Sequence, residues 1–262
     1  MDLNLQGKYA LVCGSTQGIG KAVALELANL GASVILLARN ESALQATLSE
    51  LNTAFHQQHT YIVCDFSNPE NLKLSIENYL QKNPTIHILV NNTGGPPAGA
   101  VSNAKTDEFL TAFNNHLICN HILAQAVLSG MKTEQYGRII NIISTSVKQP
   151  IAGLGVSNTI RAAVANWSKT LAGEVAQFGI TVNNVLPGAT NTIRLQTIFE
   201  NKATKTGKSV NAIKQEMLEE IPAKRFAESG EIANAVAFLA SPAAAYINGI
   251  NVPVDGGRTS SL

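Results

Sequence analysis

The chain has 262 residues, of which 45% are hydrophobic and 14% charged, so it can bury a sizeable core and does not have the composition of a disordered protein. Its 19 basic and 18 acidic residues give a net charge of +1, which argues against a nucleic-acid-binding stripe and a cationic membrane-binding face. The three cysteines lack metal-site spacing, and their odd number suits a reducing compartment. Because residues 1–6 lack the order of a signal peptide and no apolar run could span a membrane, we expect a cytoplasmic protein that binds no metal.

Seven short runs rich in β-branched residues alternate with helical stretches along the chain. The runs are almost continuously apolar, which is typical of strands buried on both faces. Strict alternation of strand and helix predicts one α/β domain with a doubly wound parallel sheet of seven strands and helices on both faces. The predicted strands are 9–13, 34–38, 61–64, 86–90, 138–143, 181–186 and 249–254.

Helices are indicated between these strands by apolar spacing and by start signals. Residues 21–30 and 156–175 carry apolar side chains at helical spacing. The run Ser67-Asn68-Pro69-Glu70 combines a capping box with an early proline, so a helix is expected to begin there. The stretch 191–222 is more polar, and we expect it to be a mobile helical insertion that covers the site within a single domain over 1–262.

A glycine-rich turn follows the first predicted strand and leads directly into a helix. Its spacing differs from that of a Walker A loop and from the GxGxxG dinucleotide form. Glycines allow positive φ and close approach of a ligand, and the free amides at a helix N-terminus suit a diphosphate. A plain tight turn is the alternative. The predicted diphosphate-binding residues are Gly14, Ser15, Thr16, Gln17, Gly18, Ile19 and Gly20.

Further motifs follow this turn in a specific order: Asp65 after the third strand, Asn91-Asn92-Thr93-Gly94, the loop from Pro187-Gly188 to Thr192, and Asp255-Gly256-Gly257. Together with Gly14 to Gly20 they resemble the classical short-chain dehydrogenases/reductases over nearly the whole chain, with Cys13 in place of a threonine. The resemblance implies a Rossmann-type fold and a nicotinamide dinucleotide cofactor. It implies that Asp65 holds the adenine and that the loop from Pro187 to Thr192 contacts the nicotinamide amide. The cofactor-binding candidates outside the glycine-rich turn are thus Asp65, Phe66, Asn91, Thr93, Gly94, Pro187, Gly188 and Thr192.

Arg39 follows the second predicted strand, where an acidic residue would bind the adenosine ribose 2′-hydroxyl of NAD. Its guanidinium could instead pair with the 2′-phosphate of NADP, for which a planar fork of donors is well suited. We therefore expect NADP(H) to be preferred, with NAD(H) possible. The alternative is that Arg39 is only a solvated loop cation, since Ser15 and Gln17 add no second positive charge.

The catalytic residues depart from the resembled family, which uses a tyrosine acid in Y-x-x-x-K, a serine thirteen residues earlier and a helical asparagine. Ser144 matches the serine, but the tyrosine position holds Ser157 and the lysine position holds Arg161. None of the five tyrosines has a lysine four residues later, so the motif is absent from the chain. Arg161 can still hold the ribose hydroxyls but cannot shuttle a proton, and Ser157 is a far weaker acid than tyrosine.

Two other side chains are candidates for the missing acid. His116 aligns with the helical asparagine, although a shift of one residue would place Asn115 there. A near-neutral pKa, which we expect for His116, would let it protonate a carbonyl. Lys148, on the loop after Ser144, could polarise a carbonyl or steer an anionic substrate. The alternatives are a histidine packed on a helix face and an exposed loop lysine.

Two hypotheses on function remain open. The run 157–161 resembles the S-N-x-x-R of a divergent branch similar to 3-oxoacyl-acyl-carrier-protein reductases, which implies an NADP(H)-dependent oxidoreductase acting on a small carbonyl or secondary alcohol with an atypical site. The second hypothesis is a catalytically silent dinucleotide-binding protein, a sensor or partner subunit. The resemblance also implies a homodimer or homotetramer, paired through helices near 107–132 and 154–178.

Overall fold

Seven parallel strands form one sheet in a computed structural model that describes residues 1–83 and 85–261. The strand order is β3-β2-β1-β4-β5-β6-β7, with all neighbours parallel, so β1 lies at the point where the order of strands reverses. This confirms the predicted doubly wound, single-domain Rossmann-type architecture. The strands are β1 (Tyr9–Cys13), β2 (Ser33–Ala38), β3 (Thr60–Val63), β4 (Ile88–Asn91), β5 (Gly137–Ile142), β6 (Ile180–Pro187) and β7 (Asn251–Val254).

Nine α-helices connect and flank these strands within the part of the chain that the structure describes. A π-helical turn, Asn114–Ile118, joins the fourth helix to the fifth. None of these helices is long and apolar enough to cross a lipid bilayer. The helices are α1 (Gly18–Asn29), α2 (Glu41–Glu50), α3 (Pro69–Leu80), α4 (Thr106–Phe113), α5 (Cys119–Thr133), α6 (Gly155–Val175), α7 (Ile193–Thr206), α8 (Val210–Glu219) and α9 (Ser229–Ala240).

Alternate residues of the central strands enter two separate hydrophobic clusters, one on each face of the sheet. Ala10 and Val12 of β1 pack in the cluster that includes side chains of α1 and α9. Leu11 and Cys13 pack in the cluster that includes side chains of α3 and α5. Side-chain alternation along a strand therefore explains why the runs read as continuously apolar: both sets of positions are buried.

The element boundaries differ from the sequence prediction where a local conformation intervenes. The last strand begins at Asn251 rather than at Gly249, because Gly249 has a φ of +70° and cannot be extended. The third helix begins at Pro69 as predicted, but its cap is Asn68, whose side chain accepts a hydrogen bond from the Asn71 amide. The stretch 191–222 contains two helices, α7 and α8.

A ladder of buried asparagines joins four neighbouring strands. Asn91 Nδ2 donates to Asn141 Oδ1 at 2.8 Å, and Asn141 Nδ2 donates to Asn184 Oδ1 at 2.9 Å. Asn184 Nδ2 donates to Asn251 Oδ1 at 2.8 Å, and Asn141 Nδ2 also approaches Ser168 Oγ at 3.3 Å. Because buried amides must be paired, these four side chains lock the register of β4 to β7.

We expect Asn141→Ala to lower the free energy of unfolding by about 2–5 kcal/mol, because it leaves the amide nitrogen of Asn91 and the amide oxygen of Asn184 buried without partners. Asn251→Ala is the matched control, since it removes one ladder bond at the edge of the sheet. Urea denaturation should show a loss for Asn251→Ala of about half that for Asn141→Ala. Equal losses would contradict a role for the ladder.

Candidate cofactor and active site

The loops that follow the carboxyl ends of the parallel strands meet at one edge of the sheet. The glycine-rich turn follows β1, and the loop at 92–95 follows β4, its neighbour at the point where the strand order reverses. Ser144 follows β5, and Gly188 follows β6. In open α/β sheets this crevice is where ligands bind.

The glycine-rich turn is packed too tightly for side chains at its first and last glycines. Gly14 has a φ of +59° and Gly18 a φ of +52°, which only glycine adopts freely. A Cβ on Gly20 would lie 2.1 Å from the Gly14 carbonyl oxygen and 2.6 Å from Asn92 Nδ2. Asn92 Nδ2 donates to the Cys13 carbonyl oxygen at 3.2 Å and so ties the β4 loop to this turn.

The N-terminus of α1 is free of side-chain caps and of acidic residues. The helices α2, α3, α7 and α8 are each capped by a side chain that accepts a backbone hydrogen bond. At α1, as at α5 and α6, no side chain caps the first amides, but α1 alone of these three follows the glycine-rich turn, and the helix dipole there favours negative charge. These features fit a dinucleotide pyrophosphate at the glycine-rich turn.

Within the turn the side chains differ in what they face. Ser15 is completely buried, and its hydroxyl points toward the Leu37 carbonyl oxygen at 3.5 Å. Thr16 is half-buried and Gln17 is exposed. A diphosphate at this turn would therefore meet the Ser15 backbone rather than its hydroxyl.

Arg39 and Asp65 lie side by side beyond the ends of β2 and β3. Arg39 Nη1 is 4.0 Å from Asp65 Oδ2, and the Arg39 side chain is 81% exposed. The guanidinium is therefore loosely held and able to turn toward another partner. Phe66, in contrast, packs its side chain into the hydrophobic cluster on the α3 side of the sheet.

The end of β4 and the loop that follows it contain a buried residue, Asn91, and an exposed glycine, Gly94. Asn91 is 1% exposed and its side chain belongs to the asparagine ladder, so any cofactor contact from this residue would come from its backbone. Thr93 is half-buried. Gly94 is exposed, and a Cβ on it would meet no protein atom within 4 Å, so the packing of the chain does not explain a glycine there. Close approach of a ligand to the backbone would explain a glycine at this position.

The loop after β6 closes against the glycine-rich turn. Gly188 packs so closely on Asp255 that a Cβ would lie 2.7 Å from the Asp255 Cα. Thr192 caps α7 by accepting from the Leu195 amide, and its methyl group lies 3.1 Å from the point that a Cβ on Gly18 would occupy. Pro187, the last residue of β6, is half-buried. An open groove of about 650 Å³ lies between α1 and the start of α7.

Two serines after β5 present hydroxyl groups at the same edge. Ser144 Oγ accepts a hydrogen bond from the Ser146 amide at 3.1 Å, which leaves the Ser144 hydroxyl hydrogen free to donate. Ser146 Oγ is buried without a hydrogen-bond partner. Ser157 is buried in the first turn of α6, and Lys148 is half-buried at the end of the short helical turn 145–147.

Arg161 on α6 is 8% exposed and lies beneath these serines. Its Nη1 donates to the Ile142 carbonyl oxygen at 2.9 Å, two residues before Ser144. Burial, followed by the positive charge of Arg194, lowers the pKa of Arg161 to about 10, so the guanidinium stays charged at neutral pH. Sequence reasoning overlooked Arg194, which stands two residues after Thr192 at the start of the stretch described above only as polar.

The near-neutral pKa expected for His116 is wrong. His116 is 2% exposed in the π-helical turn, and burial together with the charges of Arg161 and Arg194 lowers its pKa to about 2. The imidazole is therefore neutral at physiological pH. His116 is buried whereas Asn115 is partly exposed, and π-helical turns are frequent at functional sites.

Comparison with known proteins agrees with this geometry. The family model described as enoyl-(acyl carrier protein) reductase matches residues 14–259. The chain therefore belongs to this family, and it is a classical short-chain dehydrogenase/reductase that resembles 3-oxoacyl-acyl-carrier-protein reductases.

Three relatives illustrate the range of the family. The 3-oxoacyl-[acyl-carrier-protein] reductase of Vibrio cholerae is 36% identical over 255 residues, covering 97% of this chain and 98% of that protein. The L-sorbose reductase of Gluconobacter frateurii, solved with NADPH and L-sorbose, is 31% identical with a TM-score of 0.93 and full coverage of both chains. An NAD⁺-bound xylitol dehydrogenase is 26% identical with a TM-score of 0.89, covering 97% of this chain and 99% of that one.

The depressed pKa of His116 makes stability depend on pH. In the unfolded chain this histidine has its ordinary pKa of 6.5 and takes up a proton as the pH falls below that value, whereas the folded imidazole stays neutral. The unfolded state then binds more protons than the folded state, so the free energy of unfolding decreases as the pH decreases. Between pH 7.5 and 5.5 we expect His116 to contribute a loss of about 1.4 kcal/mol, which His116→Asn removes.

Urea denaturation of both proteins at the two pH values measures this difference. Replacement of the exposed His56 by Asn is the control, because Asn tolerates the φ of 62° at that position. It should leave the pH dependence unchanged. An identical pH dependence in His116→Asn and the original protein would contradict a neutral buried imidazole.

Proposed function

We propose that this protein is an NADP(H)-dependent oxidoreductase that interconverts a small carbonyl compound and the corresponding secondary alcohol. The observation that carries the proposal is the uncapped N-terminus of α1 behind a turn that only glycines can form. Ser144, with a free hydroxyl hydrogen, follows β5 at the same edge of the sheet. The relatives named above are reductases and a dehydrogenase, which supports the same reaction class.

In this proposal the nicotinamide supplies a hydride to the carbonyl carbon, and the protein stabilises the charge that develops on the oxygen. Ser144 donates a hydrogen bond to that oxygen, and Ser157 offers a second, weaker donor. Arg161 holds the nicotinamide ribose hydroxyls and adds positive potential, but it cannot deliver a proton because arginine stays protonated. The proton for the alcohol then comes from water or from a side chain whose pKa changes when substrate binds.

The cofactor contacts follow the sequence-based assignments. The turn from Gly14 to Gly20 would hold the pyrophosphate, Asp65 the adenine, and the loop from Pro187 to Thr192 the nicotinamide amide. The stretch 191–222 covers the substrate as a mobile element. A homodimer or homotetramer forms through the long helices, and the protein works in the cytoplasm.

A catalytically silent dinucleotide-binding protein is the second candidate. One observation favours it: serine and arginine stand where the family has its tyrosine acid and its lysine. Loss of a positioned general acid costs about 10²–10⁴-fold in rate. The two candidates share the cofactor site and differ only in turnover.

Assays with NADPH against ketones and 3-oxoacyl thioesters, and with NADP⁺ against secondary alcohols, separate the two candidates. We expect measurable turnover that Ser144→Ala lowers by about 10²-fold, because a donor to the developing oxyanion is lost. Ser157→Ala should cost less, and Lys148→Met tests whether that cation polarises the carbonyl. Tight NADPH binding without turnover on any substrate would instead favour the silent protein.

The cofactor preference depends on Arg39. We expect Arg39→Gln to raise the dissociation constant of NADPH by about 10–100-fold, because a charge-assisted pair with the 2′-phosphate is lost. The dissociation constant of NADH should stay within about twofold, since NADH carries no 2′-phosphate. Fluorescence titration of both cofactors measures this, with exposed Lys73→Gln as the control for loss of one charge. Tighter binding of NADH than of NADPH to the unmodified protein would overturn the preference.

A further inference from the structure

Arg161 is a buried cation with an unused donor. Of its side-chain nitrogens, Nη1 donates to the Ile142 carbonyl oxygen, whereas Nε is buried without a hydrogen-bond partner. A buried charge of this kind is costly unless it is paired, and an orphaned donor on it adds to the cost. A negatively charged partner would therefore stabilise the buried Arg161 guanidinium.

Arg194 brings a second guanidinium to the same place from α7. Its Nη1 and Nη2 donate to the carbonyl oxygens of Gly95 and Pro96 at 3.0 and 3.3 Å. A Cβ on Gly95 would lie 2.6 Å from Arg194 Nη2 and 3.5 Å from Arg161 Nη2, so the two guanidiniums approach the same glycine. Within residues 1–83 and 85–261, no carboxylate forms an ion pair with either arginine.

Arg138, at the opposite end of β5, shows how this chain satisfies a buried arginine that has only a structural role. Its Nε and Nη1 donate to three backbone carbonyl oxygens, and its guanidinium lies 4.2 Å from the centre of the Tyr136 ring. Arg161 donates only one such hydrogen bond among the described residues. Its charged neighbour is a second cation, Arg194. Packing alone thus explains Arg138 but not the pair of Arg161 and Arg194.

We propose that Arg161 and Arg194 bind the carboxylate of the substrate, which makes the substrate a short oxo acid. The proposal rests on the proposed function, because it takes Ser144 as the donor to the substrate carbonyl. It leaves the charges of the cofactor where that function puts them, at the N-terminus of α1 and at Arg39. Arg161, which in that function also holds the nicotinamide ribose, and Arg194, which holds no cofactor group, are then the charges left for an anionic group of the substrate.

The position of Arg161 indicates which acids to test. Arg161 is bonded to the backbone of Ile142, two residues before Ser144 on the same chain segment. A carboxylate on Arg161 would therefore lie next to the chain segment that carries Ser144, and 2-oxo and 3-oxo acids are the short acids to test. The bound negative charge would also oppose the positive charges that, after burial, lower the pKa of His116. His116 would then gain basicity when substrate binds.

Matched pairs of acid and ester test the proposal. With NADPH saturating, kcat/KM is measured for acetoacetate against methyl acetoacetate and for pyruvate against methyl pyruvate. We expect the unmodified protein to prefer the acids by about tenfold or more, as one charge-assisted contact is worth that much. Arg194→Gln should bring the ratio close to one, mainly through KM, while Arg194→Lys retains part of the preference.

The acid-to-ester ratio separates charge recognition from a structural effect. Arg194→Gln keeps an amide donor for the Gly95 and Pro96 carbonyls, and any loosening of α7 would affect acid and ester alike. Gly95→Ala is a second variant that keeps both charges but displaces the Arg194 guanidinium, whose Nη2 would lie 2.6 Å from the new Cβ, so it should also lower the ratio. Lys73→Gln should leave the ratio unchanged, and no variant should alter the dissociation constant of NADPH.

A binding arm keeps the inference testable if the protein turns over nothing. Calorimetric titration of the NADP⁺-loaded protein with acetoacetate, succinate or inorganic phosphate reports anion binding without chemistry. Binding of the carboxylates that Arg194→Gln abolishes would support the inference even if the proposed reaction fails. Equal use of acid and ester, preference for phosphate over the carboxylates, or no anion binding below about 10 mM would overturn it.

Discussion

The free N-terminus of α1 is the constraint on which the rest of the site depends. Its amides are left without side-chain partners, and the glycine-rich turn before it is so tight that Gly20 touches the Gly14 carbonyl. Asn92 holds the next loop against this turn, and Thr192 closes over it from α7. A pyrophosphate bound at this turn, as we propose, would determine where the nicotinamide and the substrate lie.

The electrostatics beyond the nicotinamide differ from those of a tyrosine–lysine site. This chain has two guanidiniums and a neutral imidazole in the region where the family has a tyrosine acid and a lysine. Such a cluster stabilises negative charge well but releases no proton at neutral pH. In the proposed complex an anionic substrate would pair the buried cations and oppose the positive charges that, after burial, lower the pKa of His116.

The order of strands and helices could be predicted because it depends on local signals. Apolar runs of β-branched residues, a proline at the start of α3 and glycines after β1 each act over a few residues. The sequence was less informative where contacts between residues distant in the chain determine the local structure. Gly249 adopts a left-handed conformation and so lies outside the last strand. The side chain of Asn91 lies in a ladder whose other members come from three later strands, and the cofactor contact expected of Asn91 stays a prediction.

The amino-acid order alone was sufficient for the fold, the glycine-rich cofactor turn and the absence of the tyrosine motif, because each is written in adjacent residues. The meeting of His116, Arg161 and Arg194 was not visible in it. These residues come from a π-helical turn, from α6 and from α7, and their closeness arises only when parallel strands bring distant loops to one edge. Burial and mutual repulsion, which set the charge of His116, are properties of that packed arrangement and of no residue by itself.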